Sequence, residues 1–303
     1  MSALILKSKN ALSVGVDSLE YSTYENRVVS DGGVIINKQA VKDAFTFIAE
    51  KGMTSAEVFS ATSANWGVKM AGDKPVKLYS LFSDKGDIII SIGSASAIAY
   101  NTSSYAVPVI ELKGSSGNAL TSKGTADNVL NTVICVVARA PLLSSNADYG
   151  VSTIFTLASL SDNTATSSDP ITKRTLSVSF GKKGTTAADW IQSVYRYNTA
   201  TGINTDSVLT DMTKWVSTSV FLNDGKATIY NNGAGVVNGF AALENPTPNN
   251  LSFNLGRERN ISGTDISFGR ALYGDIAESW CLINTTTAKA AALSVRGTQK
   301  YPR

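Results

Sequence analysis

KWVSTSVFLNDGKATIYNNG, residues 214–233, reads as two strands and two reversals. Apolar and β-branched residues fill each run, and Asp224-Gly225 and Asn232-Gly233 interrupt them. Both dipeptides accept the positive φ values of tight turns, so each fixes the register of the strands it joins. Outward from this hairpin the same texture recurs from residue 109 onward. TVICVVA, STIFTLASL, TLSVSFG, WIQSVYRYN, LSFNLGR and DIAESWCLIN are short strand-like runs separated by Gly, Asn, Asp and Ser clusters. Regular short strands with turns between them predict a sandwich or barrel rather than βαβ units. The one helix-like stretch in this part is TTAKAAALSVRG, near the C-terminus.

Two stretches resemble the concanavalin A-like sandwich, in its laminin-G-like branch. In that family a Trp begins a strand, a Gly turn reverses the chain, and the next strand ends in a Tyr before an Asn-Gly turn. Trp215, Asp224-Gly225, Tyr230 and Asn232-Gly233 stand at those positions. The second stretch is LSFNLGRERN followed by FGRALYGDIAESWCLINTTTAKAAALS, where Leu255-Gly256 and the run from Gly274 to Glu278 resemble the family's closing signature. The resemblance covers roughly residues 110–303 and implies a jelly roll; such motifs report fold far more than function. Strand alternation from Asp275 to Leu282 puts Ile276, Glu278, Trp280 and Leu282 on one face. Glu278 breaks that apolar face, so it must be edge-placed, paired or at a site.

The N-terminal third reads as mixed α and β. Residues 26–37, NRVVSDGGVIIN, look like two short β-segments around an Asp-Gly-Gly turn. From Lys38 to Lys51, Val41, Ala44, Phe45 and Ile48 fall at i, i+3, i+4 and i+7, which predicts a helix stopped by Gly52. A second short helix is expected from Thr54 to Ala61, with Thr54 and Glu57 as a capping box. The small, polar run SASAIAYNTSSYAV suits a linker. The expected organisation is mainly β: a small α+β domain at 1–95, a linker at 96–109, and the antiparallel jelly-roll sandwich at 110–303. RVVSDGGVI, the helix, WGVKM and VKLYSLF also resemble the leading domains of tailed-bacteriophage virion proteins, over roughly residues 24–92. That resemblance implies a virion surface component made in the host cytoplasm, with the N-terminal domain anchored to other virion proteins.

Composition narrows the chemistry. There is no histidine in 303 residues, which excludes Ser-His-Asp triads, Cys-His pairs and His-ligated zinc. Cys135 and Cys281 both lie in apolar strand-like runs and read as buried hydrophobes, with a bridge open to them if their strands are neighbours. Net charge is +3 with 17% charged residues, so polarity must come from Ser, Thr, Asn and Gly. No basic run has the density of a nucleic-acid footprint, and no apolar span is long enough to cross a membrane. The N-terminal lysines follow the apolar stretch, the wrong order for a signal peptide.

Carbohydrate binding is the sharpest functional expectation, because sugars stack on aromatics while Asn, Asp and Arg hold their hydroxyls. Trp190, Tyr195 and Tyr197 are the candidates, the two tyrosines sharing a face if this run is a strand, with Tyr149 joining from a loop. Each also reads as packing, since large aromatics in strands are usually core. Arg257 and Arg259, flanking Glu258, could bind an acidic polysaccharide and otherwise form a charged turn. Calcium could use Asp148, Asp162, Asn163 and Asp169, although no spaced ligand loop exists. A glycosidase needs two facing carboxylates about 5 to 10 Å apart. Here only Asp275 and Glu278 are available, and that spacing puts them on opposite strand faces. The expectation is therefore a non-enzymatic virion surface protein, either a tail or fibre component that recognises a host glycan or a capsid decoration that needs no ligand, with the short stalkless chain leaning slightly to the latter. It would act as a homo-oligomer, a trimer by preference. Its partners would be other virion proteins and host surface polysaccharide, not nucleic acid.

Overall fold

The computed structural model describes residues 18–91, 98–103, 106–113, 119–140, 151–159, 175–182, 190–198, 201–223, 226–238, 250–262 and 265–301. Strands over 175–182, 190–198, 201–210, 257–262 and 265–271 are described by their backbone. The chain begins with α1 (Leu19–Ser30), β1 (Val34–Ile35), α2 (Lys38–Glu50), β2 (Val58–Ser63), β3 (Gly67–Ala71), β4 (Lys74–Leu78) and β5 (Ile88–Ser91). It continues with β6 (Ile98–Asn101), β7 (Val109–Lys113), β8 (Ala119–Ser122), β9 (Asn131–Arg139), β10 (Val151–Ser159), β11 (Thr175–Lys182), β12 (Trp190–Asn198) and β13 (Thr201–Thr210). It closes with β14 (Val216–Asn223), β15 (Lys226–Asn231), β16 (Ala234–Asn238), β17 (Leu251–Leu255), β18 (Arg257–Ser262), β19 (Asp265–Ala271), β20 (Tyr273–Ile283) and α3 (Thr287–Lys300).

Two antiparallel sheets face one another. One runs β1-β3-β4-β5-β8-β17-β10-β11-β12-β13; the other runs β16-β15-β14-β9-β20-β7-β6, with β2 also paired to β20. Between them lies an apolar core in which Ile134, Val136 and Ala138 of β9 meet Phe155, Leu157, Phe253 and Leu255 of the first sheet. This is the mainly β, jelly-roll-type sandwich that the strand texture predicts. The Asn232-Gly233 turn takes the expected positive φ values, 49° and 84°. Asp224-Gly225 lies outside the described residues, and Asn223 and Lys226 on either side of it pair with each other.

A third layer of helices covers the outer face of the second sheet. The intervening β9 residues, Val133 and Cys135, point into a second core with Tyr24, Phe45, Ile48, Trp280 and Leu293. The helix predicted from Lys38 is α2, and the four residues at its apolar spacing are the four it buries. Burying a large aliphatic or aromatic side chain contributes about 1.5–3 kcal/mol. A 13-residue helix is marginal alone, so this stripe holds α2 in place. The C-terminal helix-like stretch is α3.

Several expectations are corrected. Residues 26–30 belong to α1, not to a β-segment; Ser18 caps this helix, and Tyr21, Tyr24 and Val28 are its buried stripe. Thr54 and Glu57 exchange the capping-box hydrogen bonds, at 2.9 and 3.2 Å, but around a single turn. The chain then extends as β2, all six residues of which are buried, and six buried positions in a row fit a strand covered on both faces. The expected linker contains β6, which pairs with β7. Both sheets combine strands from either side of that segment: β5 pairs with β8, and β2 with β20.

β20 carries a bulge at Ala277, where its register against β9 shifts between Ile276 and Glu278. The extra residue turns Ile276 into the inter-sheet core while Trp280 and Leu282 face the helices. Ile276 therefore does not share a face with Glu278, as alternation alone predicts. Asp275 and Glu278, expected on opposite faces, both lie on the outer one. Cys135 and Cys281 are on neighbouring strands, but Cys135 faces the helices and Cys281 the inter-sheet core, and both are free thiols.

Candidate functional site

Of the sequence-predicted binding residues, Tyr149 lies outside the described residues, as do Asp148, Asp162, Asn163 and Asp169. Trp190, Tyr195 and Tyr197 lie on β12, between β11 and β13, with Tyr195 paired to Ser177 and Asn204. Arg257 and Arg259 lie on β18, a strand of the β18–β19 hairpin rather than a turn. Among the described residues no group of three or more His, Cys, Asp or Glu side chains could hold a metal ion.

The described side chains converge elsewhere, around Glu278. β20 is an interior strand, flanked by β9 on one side and by β7 and β2 on the other. Its carboxylate is 3% exposed, on the face turned towards the helices. The Glu278 Oε1 atom accepts from Trp280 Nε1 at 2.7 Å and from Arg296 Nε at 2.9 Å; Oε2 accepts from the Tyr301 hydroxyl at 3.2 Å. Of the three fates open to a carboxylate on an apolar strand, this one is paired. Arg296, 6% exposed, stacks over the rings of Phe47 and Trp280, with its guanidinium carbon 4.9 and 5.6 Å from their centroids. Burial, and then the Glu278 charge, push the Tyr301 hydroxyl well above its ordinary range, so it stays protonated and donates.

Above this floor opens a cleft of about 220 Å³. One wall is the start of α2. Asn37 caps the helix by accepting from the Ala40 N–H at 3.0 Å, and Gln39 donates to Asp43 at 2.9 Å. The β2–β3 turn supplies Asn65 and Trp66, and the end of α3 supplies Lys300. Lys300 bonds Asp43 at 2.8 Å. Burial raises the Asp43 carboxyl, but the bonds from Lys300 and Gln39 outweigh it and hold it below its usual range. Three sets of donors remain without a partner among the described residues: the terminal guanidinium nitrogens of Arg296 and the carboxamide nitrogens of Asn65 and Asn37. A concave site with a buried aromatic floor and a few polar groups of fixed orientation is the usual form of a small-molecule site.

Three other carboxylates among the described residues are also paired. Asp87 is fully buried and accepts from Arg27 at 2.8 and 2.9 Å, from Lys77 at 2.8 Å and from the Ser80 N–H at 2.8 Å. Asp31 accepts from Tyr79, Lys77 and Lys69, led by the Tyr79 hydroxyl at 2.7 Å, which holds its carboxyl far below its usual range. Asp275 pairs with Arg139 at 2.8 Å. A larger cavity, about 480 Å³ between α1 and α2, has walls formed chiefly by Leu19, Tyr21, Phe45, Met53, Leu81 and Phe82. Ser18, Glu20, Thr23, Lys42, Thr46 and Ser55 complete its lining.

The Glu278 cleft was not foreseen as a site. The signal in the sequence was Glu278 itself, an acid inside an apolar strand. Its arginine lies 18 residues further on in a helix, and α2 comes from the other end of the chain, so nothing local joins them.

Neither a protein-family model nor a curated protein matches the chain. Among solved structures, domain 4 of AbnA, a GH43 extracellular arabinanase from Geobacillus stearothermophilus in complex with arabinotriose, is 16% identical, with a TM-score of 0.46 over 79% of this chain and 98% of that one. A SAP-like pentraxin from Limulus polyphemus is 12% identical, with a TM-score of 0.46 over 61% of this chain and 81% of that one. The CBM40 of a Ruminococcus gnavus IT-sialidase is 10% identical, with a TM-score of 0.41 over 61% of this chain and 96% of that one.

Proposed function

We propose that the chain is a non-enzymatic glycan-binding protein displayed on the surface of a tailed-phage particle. The observation that carries the binding reading is the cleft above Glu278, lined by Arg296 and Asn65, whose donors lack a partner among the described residues, beside the buried rings of Trp66 and Tyr301. Glu278, held by three donors, serves there as a counter-ion, which favours binding over catalysis. The particle assignment rests on the N-terminal sequence resemblance and on a polar, charge-poor composition suited to close self-packing. In this reading the N-terminal elements also meet other virion proteins, and the chain works as a homo-oligomer, a trimer by preference.

The test is an array of host envelope polysaccharides probed with the full chain, alongside Asn65→Ala and the pair Trp190→Ala and Tyr195→Ala. Retention on at least one glycan, reduced by Asn65→Ala, supports the cleft. Reduction by the β12 variants alone moves the site to that strand, and release of new reducing ends makes the protein an enzyme. Antibody-gold labelling of intact source particles checks the location; unlabelled particles would sink the phage assignment.

A further inference from the structure

Resting on that reading, we propose that the Glu278 cleft selects an uncharged sugar residue, a neutral pyranose, and rejects acidic ones. The selection follows from charge balance. Four ionised side chains line the cleft, and they form two closed pairs: Glu278 with Arg296 at 2.9 Å and Asp43 with Lys300 at 2.8 Å. No lining cation is left over to neutralise an incoming carboxylate. The positive charge of Arg296 is already matched by a carboxylate that is 3% exposed. An acidic ligand would therefore add an unmatched negative charge beside Glu278 and Asp43, a costly arrangement in a partly desolvated site.

What the cleft does have in excess is uncharged hydrogen-bonding capacity. The terminal nitrogens of Arg296 and the Asn65 amide can donate to ring and hydroxyl oxygens. The Asn65 carbonyl can accept from a sugar hydroxyl, and the Asn37 amide can donate from the α2 N-cap. Trp66 and Tyr301 line the same cavity, and its volume of about 220 Å³ admits one ring rather than a chain. The ligand enters as a terminal or side-branch residue.

The experiment is ligand-observed NMR titration of the full chain with glucose, galactose and N-acetylglucosamine against glucuronic and galacturonic acids. Two variants accompany it: Asn65→Ala, and Gln39→Ala on the exposed surface of α2, where folding is not at risk. At least one neutral sugar should bind about tenfold or more tighter than its uronic acid, and Asn65→Ala should weaken it about tenfold. Gln39→Ala frees one oxygen of Asp43 and should weaken neutral binding less, while depressing uronate binding further. Equal or tighter binding of uronates overturns the selectivity while leaving the cleft a glycan site. Sugar binding untouched by both variants, or no sugar binding at all, overturns the site itself.

Discussion

Glu278 is the buried acid at which β20 meets the end of α3, accepting from Trp280, Arg296 and Tyr301. Removing one member of a buried pair strands the other's charge in a low-dielectric interior, which typically costs about 3–5 kcal/mol. Glu278→Ala should lose about that much stability in urea denaturation, because Arg296 is left buried without a counter-ion; a loss below about 1 kcal/mol would mean water reaches the guanidinium. The alternation of β20 made Glu278 legible as an anomaly, with pairing as one of three outcomes. The bulge at Ala277 was not legible, since bulges answer to the neighbouring strand. The cysteines give a second test at this scale. Burial pushes both thiols up to about 12. The folded protein should therefore resist alkylation near pH 8 and take up two equivalents on unfolding; rapid native labelling would contradict the burial of Cys135 and Cys281.

Among elements, α3 is the one most exposed to a simple perturbation. Its ends are clamped by Lys289–Glu57 at 2.5 Å and Lys300–Asp43 at 2.8 Å. Burial raises both carboxyls, yet their lysine partners prevail and hold both below their usual range. A depressed folded-state value gives stability that is present above the unfolded value, about pH 4, and lost as pH falls through the folded one. Amide exchange in α3 should accordingly quicken below about pH 4, ahead of β9. Uniform exchange across both elements would contradict the clamp. Gly297 sets the closeness of the same helix: a Cβ there would overlap the Ser217 side chain and lie 2.8 Å from Val137 Cγ2. Helix propensity favours Gly297→Ala by up to about 1 kcal/mol, whereas overpacking costs about 1–3 kcal/mol. A net loss near 1 kcal/mol is expected in thermal unfolding. Elements were legible where one local pattern decided them. α2 showed its four core residues at helical spacing and WIQSVYRYN matched β12, whereas α1 hid Tyr21, Tyr24 and Val28 among polar and β-branched neighbours. The Thr54–Glu57 box was real, but tertiary pairing of β2 overrode the helix it announced.

For the whole molecule, the sandwich could be read from strand texture and turn chemistry, and the division into two halves looked equally plain. The sheets cross that division. Ala61 pairs with Trp280 and Ile90 with Leu120, contacts between distant positions that no local pattern announces. A fragment of residues 110–303 should accordingly fail to fold, because it would expose Val133, Cys135, Trp280 and Leu282. The full chain should melt in one transition by both circular dichroism and tryptophan fluorescence. A well-folded fragment with dispersed NMR signals would show that the two parts are independent after all. The central claim, glycan binding without chemistry at the Glu278 cleft, is tested most directly by titration calorimetry of the full chain with polysaccharide from the host envelope. The account predicts saturable heat that Asn65→Ala weakens about tenfold, with no new reducing ends in the cell afterwards. Heat unchanged by that variant, or polysaccharide cleaved during the titration, would contradict it.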